Sequence, residues 1–357
     1  MHSRLGAAAA AFTIMSLAGC SGTSQSNLTP DNGMPRPGAN ALHPRSSTRV
    51  QIREFALPNA GSEPFNIALG PDGNMWFTEL SGNRIGRITR RGKITEYMLP
   101  NANSSPVTIA AGRDGNLWFT EGAGRIGRIT PAGNITEFST GLSAGSSPNG
   151  ITAGHTFMWF TEVGESPEGI KIGKIAIDGT ITQQYKIPTA YNSNPQNIAF
   201  GWGGKLWFTE ANAGNAIGRS TIFGKMTIFT SGLSPDNWPQ SIAAGPDGNM
   251  WFTESGRTAV VGRITGAGSI TEFSSGISNC DCNYNLIGIA AGPDGNLWFT
   301  ENATDKIGQI TTGGRVTEFS GLSADGGPWG IAAGPRGTLW FAEAQGNRIG
   351  RLQLMAQ

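Results

Sequence analysis

The sequence predicts an all-β protein, a seven-bladed β-propeller with four-stranded blades in which an N-terminal strand closes the last blade. Two observations predict this fold. Six repeats hold four short segments each and the last holds three, all rich in Ile, Thr, Phe and Trp and bounded by Gly, Pro or Asn as strands are. Four strands at a period of about 40 to 50 residues are typical of a propeller blade. The repeats are marked by a motif close to GPDGNLWFTE, whose tryptophans are Trp76, Trp118, Trp159, Trp207, Trp251, Trp298 and Trp340.

The first repeat shows the pattern that we expect in every blade. NIALG (66–70) leads through PDG to NMWFTE (74–79), and NRIGRIT (83–89) turns at RRG into KITEYMLP (93–100). Asp-Gly between two apolar runs favours a tight hairpin, because glycine accepts the positive φ of such a turn. The repeats show no helical period.

The last repeat contains only three such segments, GIAAG (330–334), TLWFAE (338–343) and NRIGRLQL (347–354), before the chain ends. Its missing fourth strand is predicted to be RVQIREF (49–55), which matches the fourth segments of other repeats. This strand would join the two ends of the chain in one blade and remove open edges that invite aggregation.

The recurring glutamate and tryptophan are predicted to be structural. Pairing the second and third segments of the first repeat places Glu79 opposite Arg84 and Trp76 opposite Arg87. Opposite charges across strands and a guanidinium over an indole both stabilise a sheet. A ring would hold the equivalent glutamates apart rather than converge them on one metal or substrate. These residues are Glu79, Glu121, Glu162, Glu210, Glu254, Glu301 and Glu343.

Bulk composition excludes some functions. The chain has 357 residues with Gly 53 and 14% charged residues, which indicates many turns and little exposed helix. Its net charge of +1 offers no overall basic surface, so nucleic acid is not an expected partner. The same balance predicts no long-range steering of a charged ligand.

The first residues are predicted to be a lipoprotein signal peptide spanning 1–19. A short positive region precedes an apolar run that is too short to span a membrane, and LAGC (17–20) then resembles the bacterial lipobox. Cys20 would be lipidated, with a soluble secreted protein cut near Gly19 as the alternative. Ser21 after the cysteine favours the outer membrane, so we expect a bacterial cell-envelope protein facing the periplasm or the cell surface.

Residues 20–48 are predicted to be a flexible tether, because they are rich in Ser, Pro, Asn and Gly and lack apolar periodicity. The propeller is then expected to span 49–357, as a monomer.

The ligand site is predicted on the face that carries the variable loops, since binding residues concentrate on loops held by a rigid frame. The turn into each first strand contains Pro-x-x-Ile in six repeats, and the residue after the proline should point towards the mouth of the central channel. Amides beside aromatics suit a neutral polar ligand, although ordinary loop filling is an equal alternative. The candidates are Phe65, Val107, Asn149, Gln196, Gln240, Ile287 and Trp329, with Trp238 and Tyr284 nearby.

The GPDGNLWFTE…KIGQIT…VTEF units resemble the streptogramin B lyase (virginiamycin B lyase) family over residues 49–354. The resemblance implies a magnesium-assisted elimination that opens a cyclic depsipeptide at its ester bond, with a histidine base. It places two histidines where this chain has Ile287 and Trp329, and a metal-binding glutamate where it has Gly327. His155 lies in a turn predicted on the opposite face. The resemblance therefore supports the fold more than the reaction.

Two functions remain open. The first is an extracytoplasmic, lipid-anchored propeller that binds a small polar molecule, a glycan or a protein without lyase chemistry. The second is a magnesium-dependent carbon–oxygen lyase, or a related hydrolase, with a rebuilt active site. It would need a divalent metal, magnesium or calcium, for which the weak candidate ligands are Asn66, Asn149, Asn197 and Glu343.

Cys280 and Cys282 lie one residue apart on the longest variable loop. Outside the cytoplasm they could form a small disulfide, which we prefer, while free thiols or a soft-metal site are the alternatives.

Overall fold

The computed structural model describes residues 49–164, 169–188, 193–212, 214–235, 237–279 and 285–355. Residues from Arg49 to Gln357 form one compact unit. The predicted signal peptide and tether with Cys20 lie outside the described residues, as do Cys280, Cys282 and Tyr284. Within the described ranges, no helix has the length and apolar character that crossing a membrane requires.

Seven antiparallel four-stranded sheets confirm the predicted propeller. The N-terminal strand is β1 (Arg49–Ala56). Blade 1 contains β2 (Pro64–Leu69), β3 (Met75–Glu79), β4 (Arg84–Ile88) and β5 (Ile94–Met98). Blade 2 contains β6 (Pro106–Ala111), β7 (Leu117–Glu121), β8 (Arg125–Ile129) and β9 (Ile135–Phe138). Blade 3 contains β10 (Ser147–Ala153), β11 (Phe157–Val163), β12 (Lys171–Ala176) and β13 (Ile181–Lys186).

The other blades repeat this order. Blade 4 contains β14 (Ser193–Gly201), β15 (Lys205–Asn212), β16 (Ala216–Ser220) and β17 (Met226–Phe229). Blade 5 contains β18 (Asn237–Ala244), β19 (Met250–Gly256), β20 (Val260–Ile264) and β21 (Ile270–Phe273). Blade 6 contains β22 (Leu286–Ala291), β23 (Leu297–Glu301), β24 (Lys306–Ile310) and β25 (Val316–Phe319). Blade 7 contains β26 (Pro328–Gly334), β27 (Thr338–Glu343), β28 (Arg348–Met355) and β1.

Strand β1 closes the ring as predicted. It pairs antiparallel with β28 along its whole length, from Arg49 opposite Met355 to Ala56 opposite Arg348. Each first strand contacts the first strand of the next blade, and β26 contacts β2, so these strands form the innermost layer. The first and last strands of the described residues therefore meet in one sheet.

The core lies between blades, as the repeated apolar residues predict. Trp76 of blade 1 is fully buried in a cluster with Ile109, Leu117 and Phe119 of blade 2. Phe77 covers the glycine opposite it, because a Cβ on Gly86 would lie 2.1 Å from the end of the ring. An apolar face that packs on the next blade thus repeats around the ring, and its burial drives assembly.

The two ends of the strands differ in their loops. At one end of the propeller the first strand of each blade begins and the second strand ends, as at Pro64 and Glu79 in blade 1. We call this the upper end and the opposite one the lower end. The lower end holds the turns between strands one and two and between strands three and four. In blade 1 the lower turn after β2 is held by Asp72, which accepts from the indole Nε1 of Trp76 at 3.0 Å. Lower turns are short and alike, so the variable connections gather at the upper end.

The basic residues opposite the tryptophans link neighbouring blades at the lower end. The Arg87 guanidinium carbon lies 5.4 Å from the centre of the Trp76 ring, and Arg87 Nη1 donates to Pro131 O of blade 2 at 2.9 Å. Arg263 makes the same pair of contacts with Trp251 and with Thr312 O of blade 6. The predicted pairing is therefore confirmed, and the arginines at this position in five blades also join their blade to the next.

Candidate functional site

A bulge at the start of each first strand positions the predicted ligand-binding residues. In blade 1, Pro64 pairs with Glu79 and Ile67 with Phe77, and the register shifts between Pro64 and Ile67. The same shift occurs in the other six blades. Bulges of this kind turn a side chain away from its regular direction. The residue after the proline, or after Leu286 in blade 6, therefore points out of the ladder on the innermost strand.

We call these seven residues the rim, namely Phe65, Val107, Asn149, Gln196, Gln240, Ile287 and Trp329. The structure brings neighbouring members into contact. The rings of Phe65 and Trp329 have centroids 4.7 Å apart at an interplanar angle of 33°. Asn149 Nδ2 donates to Gln196 Oε1 at 3.1 Å. Six rim side chains are partly exposed and Ile287 is 5% exposed.

The rim is chemically divided. Asn149, Gln196 and Gln240 follow one another on blades 3, 4 and 5, while Ile287, Trp329 and Phe65 follow on blades 6, 7 and 1. Gln240 Nε2 is turned towards its own strand and donates to Trp238 O at 3.3 Å. One arc therefore offers amide donors and acceptors, and the opposite arc offers aromatic and aliphatic surface.

Threonine hydroxyls fix the backbone of the rim, a feature that the sequence analysis missed. Thr78 Oγ1 in blade 1 accepts from Asn66 N at 3.1 Å and donates to Val107 O of blade 2 at 2.8 Å. Thr300 Oγ1 in blade 6 likewise accepts from Gly288 N and donates to Trp329 O at 2.7 Å. The signal was the threonine of WFTE, present in six repeats and replaced by Ala342 in the seventh.

The candidate metal ligands Asn66, Asn197 and Glu343 make structural contacts within the propeller. Asn66 Oδ1 accepts from Ile109 N at 3.1 Å and so joins blade 1 to blade 2. Asn197 holds the equivalent position in blade 4, where its Cα lies 2.9 Å from where a Cβ on Gly150 would stand. Glu343 is fully buried, and its Oε2 accepts from Arg348 Nε at 3.0 Å.

The repeated glutamates are buried between blades rather than on the rim. Burial raises the pKa of Glu79, Glu121, Glu301 and Glu343 to about 7. Burial and then the neighbouring Glu272 raise the pKa of Glu254 to about 9. Each of these glutamates interacts with an acidic residue of a fourth strand, namely Glu96, Glu137, Glu318, Glu54 and Glu272. The prediction of seven separated structural positions agrees with this placement.

The facing cations do not all bind these glutamates directly. Arg125 Nε lies 3.0 Å from Glu121 Oε2, as the cross-strand pairing predicts. Lys306 faces Glu301 in the ladder, but its Nζ lies 2.6 Å from Glu318 Oε2 of β25. The lysine turns towards the more exposed carboxylate, which retains its charge because hydrogen bonds from Lys306 and Ser278 outweigh its partial burial and lower its pKa.

The described residues do not form a magnesium site of the kind that a metal-assisted lyase needs. They contain no group of three or more His, Cys, Asp and Glu side chains able to hold a metal ion. The amide oxygen of Asn66 and the carboxylate of Glu343 already have protein partners. We therefore assign no step to a metal in this chain.

Comparison with known proteins decides the family. The model of the virginiamycin B lyase family matches residues 39–213 and 172–357, which together make up most of the chain. The chain belongs to the virginiamycin B lyase family. A curated virginiamycin B lyase from Bacillus licheniformis is 41% identical over 44 residues, or 12% of this chain and 15% of that relative.

Solved structures of the virginiamycin B lyase family share the propeller. The Staphylococcus aureus virginiamycin B lyase is 36% identical with a TM-score of 0.77, and the match covers 86% of this chain and 100% of that one. A catalytically inactive variant of the same enzyme with quinupristin is 37% identical, with a TM-score of 0.77 and the same coverage. A streptogramin B lyase structure is 34% identical with a TM-score of 0.76, covering 86% and 98% of the two chains.

The family's implied catalytic positions are occupied by packing residues here. Ile287 is buried, and Trp329 packs its ring against Phe65. Gly327 has a φ of 55°, and a Cβ there would lie 2.3 Å from Gln345 Oε1. His155 is exposed in the lower turn of blade 3, with its ring edge-on to Phe200 at 6.0 Å. The sequence-based placement of this histidine at the end away from the rim is thus correct.

Proposed function

We propose that this chain is a binding protein that holds a small polar ligand at the rim and does not open it. The observation that carries the proposal is the divided rim, in which the Asn149–Gln196 amide pair faces across the ring to the Phe65–Trp329 aromatic pair. Pockets that combine apolar surface with a few fixed polar groups are typical small-molecule sites.

The ligand class follows from the two arcs. Amide side chains donate to and accept from peptide or hydroxyl groups, and two aromatic rings in contact offer apolar surface. A peptide-like ring with an aromatic substituent could form hydrogen bonds with the amide arc and apolar contacts with the aromatic arc. A glycan or an exposed loop of a protein has the same combination of polar groups and flat faces, and these are the other ligands to be screened.

Among the described residues no histidine lies near the rim, and this supports binding without lyase chemistry. General-base abstraction near neutral pH needs a group of suitable pKa within hydrogen-bonding reach of the proton. In the described part of the chain, the one histidine is His155 at the lower end. The buried glutamates with raised pKa point between blades, where Arg84, Arg125 and Arg348 flank three of them.

Quinupristin is the first probe, because a catalytically inactive family member was solved with it. We expect calorimetry to show saturable binding and mass spectrometry to recover the ligand with its ring intact. Glycan and peptide arrays extend the screen if quinupristin does not bind. Opening of the ring at a rate proportional to protein concentration would contradict the proposal.

Family membership favours one alternative, a carbon–oxygen lyase with a rebuilt site. It predicts a ring-opened product without incorporation of solvent oxygen, and loss of product formation in a chelator. A hydrolase would instead incorporate oxygen from labelled water. The mass of the product distinguishes these two reactions.

Localisation forms a separate part of the proposal. We infer that Cys20 is lipidated and anchors a monomeric propeller in the bacterial envelope, at the outer membrane facing the periplasm or the cell surface. Supporting this are the LAGC motif and the apolar run before it. Cys20→Ser should abolish palmitate labelling and, in high salt that weakens electrostatic lipid binding, move the protein from the membrane to the soluble fraction. Unchanged labelling and unchanged partition of this variant in high salt would defeat the anchor, and light scattering tests the monomer.

A further inference from the structure

We infer that the lower end of blades 3 and 4 docks onto the surface of an anionic lipid bilayer. This inference goes beyond ligand binding at the rim, because it concerns the opposite end of the strands and different residues. The supporting observations are an exposed apolar cluster, the separation of charge between the two ends, and the position at which β1 begins.

The apolar cluster occupies the lower turns of two adjacent blades. Phe223 is 82% exposed and Trp202 is 64% exposed, both in blade 4, and Ile177 in blade 3 is 53% exposed. Ile222 beside Phe223 is 41% exposed. Large apolar side chains that stay in water cost free energy unless a partner covers them, so a group of them marks an interaction surface. We call these four residues the lower cluster.

The cluster is a departure from the repeat rather than part of it. The turn between the third and fourth strands has the sequence Thr-Gly-Ala-Gly in blade 5 (265–268) and Thr-Ile-Phe-Gly in blade 4 (221–224). Where three other blades have Gly-Pro-Asp-Gly, blade 4 has Gly-Trp-Gly-Gly (201–204). Neither turn needs an apolar side chain to form, since the repeat forms them without one.

The frame holds these side chains outward. Trp202 Nε1 donates to Gly245 O of blade 5 at 3.2 Å, which fixes the indole at the surface. Tyr185 Oη of blade 3 donates to Ile222 O at 3.4 Å. Gly224 has a φ of 80°, so the turn that carries Phe223 is a defined one. These contacts fix both turn tips at the lower end.

The lower end of the propeller carries more basic than acidic side chains, although the net charge of the whole chain is only +1. The expectation of no overall basic surface averages over both ends and does not describe either one. Among the described residues, the acidic groups of the lower end are Asp72, Asp114, Asp178, Asp247 and Asp294. The basic groups that outnumber them there are Arg49, Arg53, Arg87, Arg90, Arg91, Lys93, Arg113, Arg128, Lys174, Lys205, Arg219, Lys225, Arg263, Arg315, Arg336 and Arg351.

Basic groups stand beside the lower cluster itself. Lys205, Arg219 and Lys225 of blade 4 line one cavity together with Thr221 and Thr227, between the two turns that carry Trp202 and Phe223. Lys225 is exposed and Lys205 is partly exposed. Juxtaposed Lys and Arg are attracted to anionic lipid headgroups, and Trp and Phe sit favourably at the boundary with the acyl chains.

Strand β1 also begins at the lower end. Its first residue Arg49 pairs with Met355, and the neighbouring Thr338–Gln353 pair adjoins the lower turn of blade 7. The basic side chains of Arg49 and Arg53 therefore belong to this end. An acyl chain on Cys20 would add a second membrane attachment, and two weak attachments together give firm membrane binding.

The inference is tested with residues 49–357, which form one compact unit and carry no acyl chain. The protein is mixed with vesicles of phosphatidylcholine alone or with phosphatidylglycerol, and the bound fraction is measured after flotation. We expect binding to the anionic vesicles that weakens as salt increases. The apolar variant Trp202→Ser, Ile222→Gly and Phe223→Ala copies the blade 5 turn at 222 and 223. It should bind at least about tenfold more weakly, since three interfacial side chains are lost.

Two further variants separate the contributions. Lys205→Gln with Lys225→Gln should weaken binding by roughly tenfold at low salt and reduce its salt dependence. Met98→Ser removes an apolar side chain that is 59% exposed away from the lower end, and it should bind as the parent does. Equal melting temperatures confirm that the variants fold. The inference is overturned if the parent ignores anionic vesicles, if the apolar variant binds like the parent, or if the protein binds duplex DNA and not vesicles. Because the fragment lacks Cys20 and the rim is unchanged, none of these results bears on lipidation or on rim binding.

Discussion

Phe65 and Trp329 pack against each other across the junction between the first and last blades, with ring centroids 4.7 Å apart and ring planes tilted by 33°. At the junction of blades 6 and 7, Thr300 bridges to a rim carbonyl. Blade 7 has Ala342 where the bridging threonine would stand, so no hydroxyl at that position can reach the rim of blade 1. The Phe65–Trp329 pair therefore lies at the junction of blades 7 and 1, where the threonine hydroxyl bridge is absent. Strand β1 completes blade 7 at the same junction.

Trp329→Ala should weaken quinupristin binding by about tenfold or more, because a flat apolar surface is removed from the rim. Trp329→Phe keeps a ring and should retain most of the affinity. Calorimetry on both variants measures the difference, and denaturant unfolding reports any change in stability separately. Equal affinity of the alanine variant and the parent would show that the aromatic arc does not contact the ligand.

Thr300→Ala should lower the free energy of unfolding by about 1–3 kcal/mol, since Gly288 N and Trp329 O both lose a buried partner. Urea unfolding followed by fluorescence measures the change. Thr271→Ala on the exposed side of β21 is the matched control and should change stability little. A loss of equal size in both variants would indicate threonine packing or propensity rather than the bridge.

Glu254 should make the protein less stable as the pH rises from about 5 to 9. Its pKa in the folded state is raised to about 9 from an ordinary value of 4.5, so between these values the folded state holds a proton that the unfolded state has lost. Such a group contributes most below pH 4.5 and loses its contribution as pH rises through the folded pKa, at up to about 1.4 kcal/mol per pH unit.

Glu254→Gln removes this titration and should stabilise the protein at pH 8 more than at pH 5. Glu121→Gln is the control, because Glu121 has a direct ion pair with Arg125 whereas Glu254 faces Val260. Its substitution should give less stabilisation at pH 8. Melting temperatures across this range test the sign, and a stability difference between parent and Glu254→Gln that does not vary with pH would contradict it.

Gly327→Glu, which puts the family's implied metal-binding residue at this position, should destabilise the protein by roughly 1–2 kcal/mol. The backbone there has a φ of 55°, a region that costs L-residues about that much, and Gln345 must move to admit the new Cβ. Gly327→Ala measures the cost of the Cβ alone. If the glutamate variant is as stable as the parent, the backbone has relaxed and the position is more adaptable than its geometry indicates.

The strength of the repeat explains which parts of the fold were predictable. Trp76 and its equivalents recur because every blade must fill the same space, so the period, the strand order and the closing β1 are written in local patterns. The rim could be named for the same reason, since each Pro-x-x-Ile turn gives one innermost residue. The contacts between rim side chains could not be predicted, because they depend on the packing angle between neighbouring blades.

The sequence by itself determined the blade, its turns and the number of blades, since these follow from short-range periodicity and cross-strand chemistry. Only the tertiary structure decided the contacts between residues far apart in the chain. It placed Phe65 on Trp329, turned Lys306 to Glu318 instead of Glu301, and left Glu254 beside Glu272 without a cation. It also gathered arginines and lysines at one end of the ring, because side chains at equivalent positions of every blade reach the same end. The net charge adds all charges regardless of position, whereas the folded chain determines at which end each charge lies.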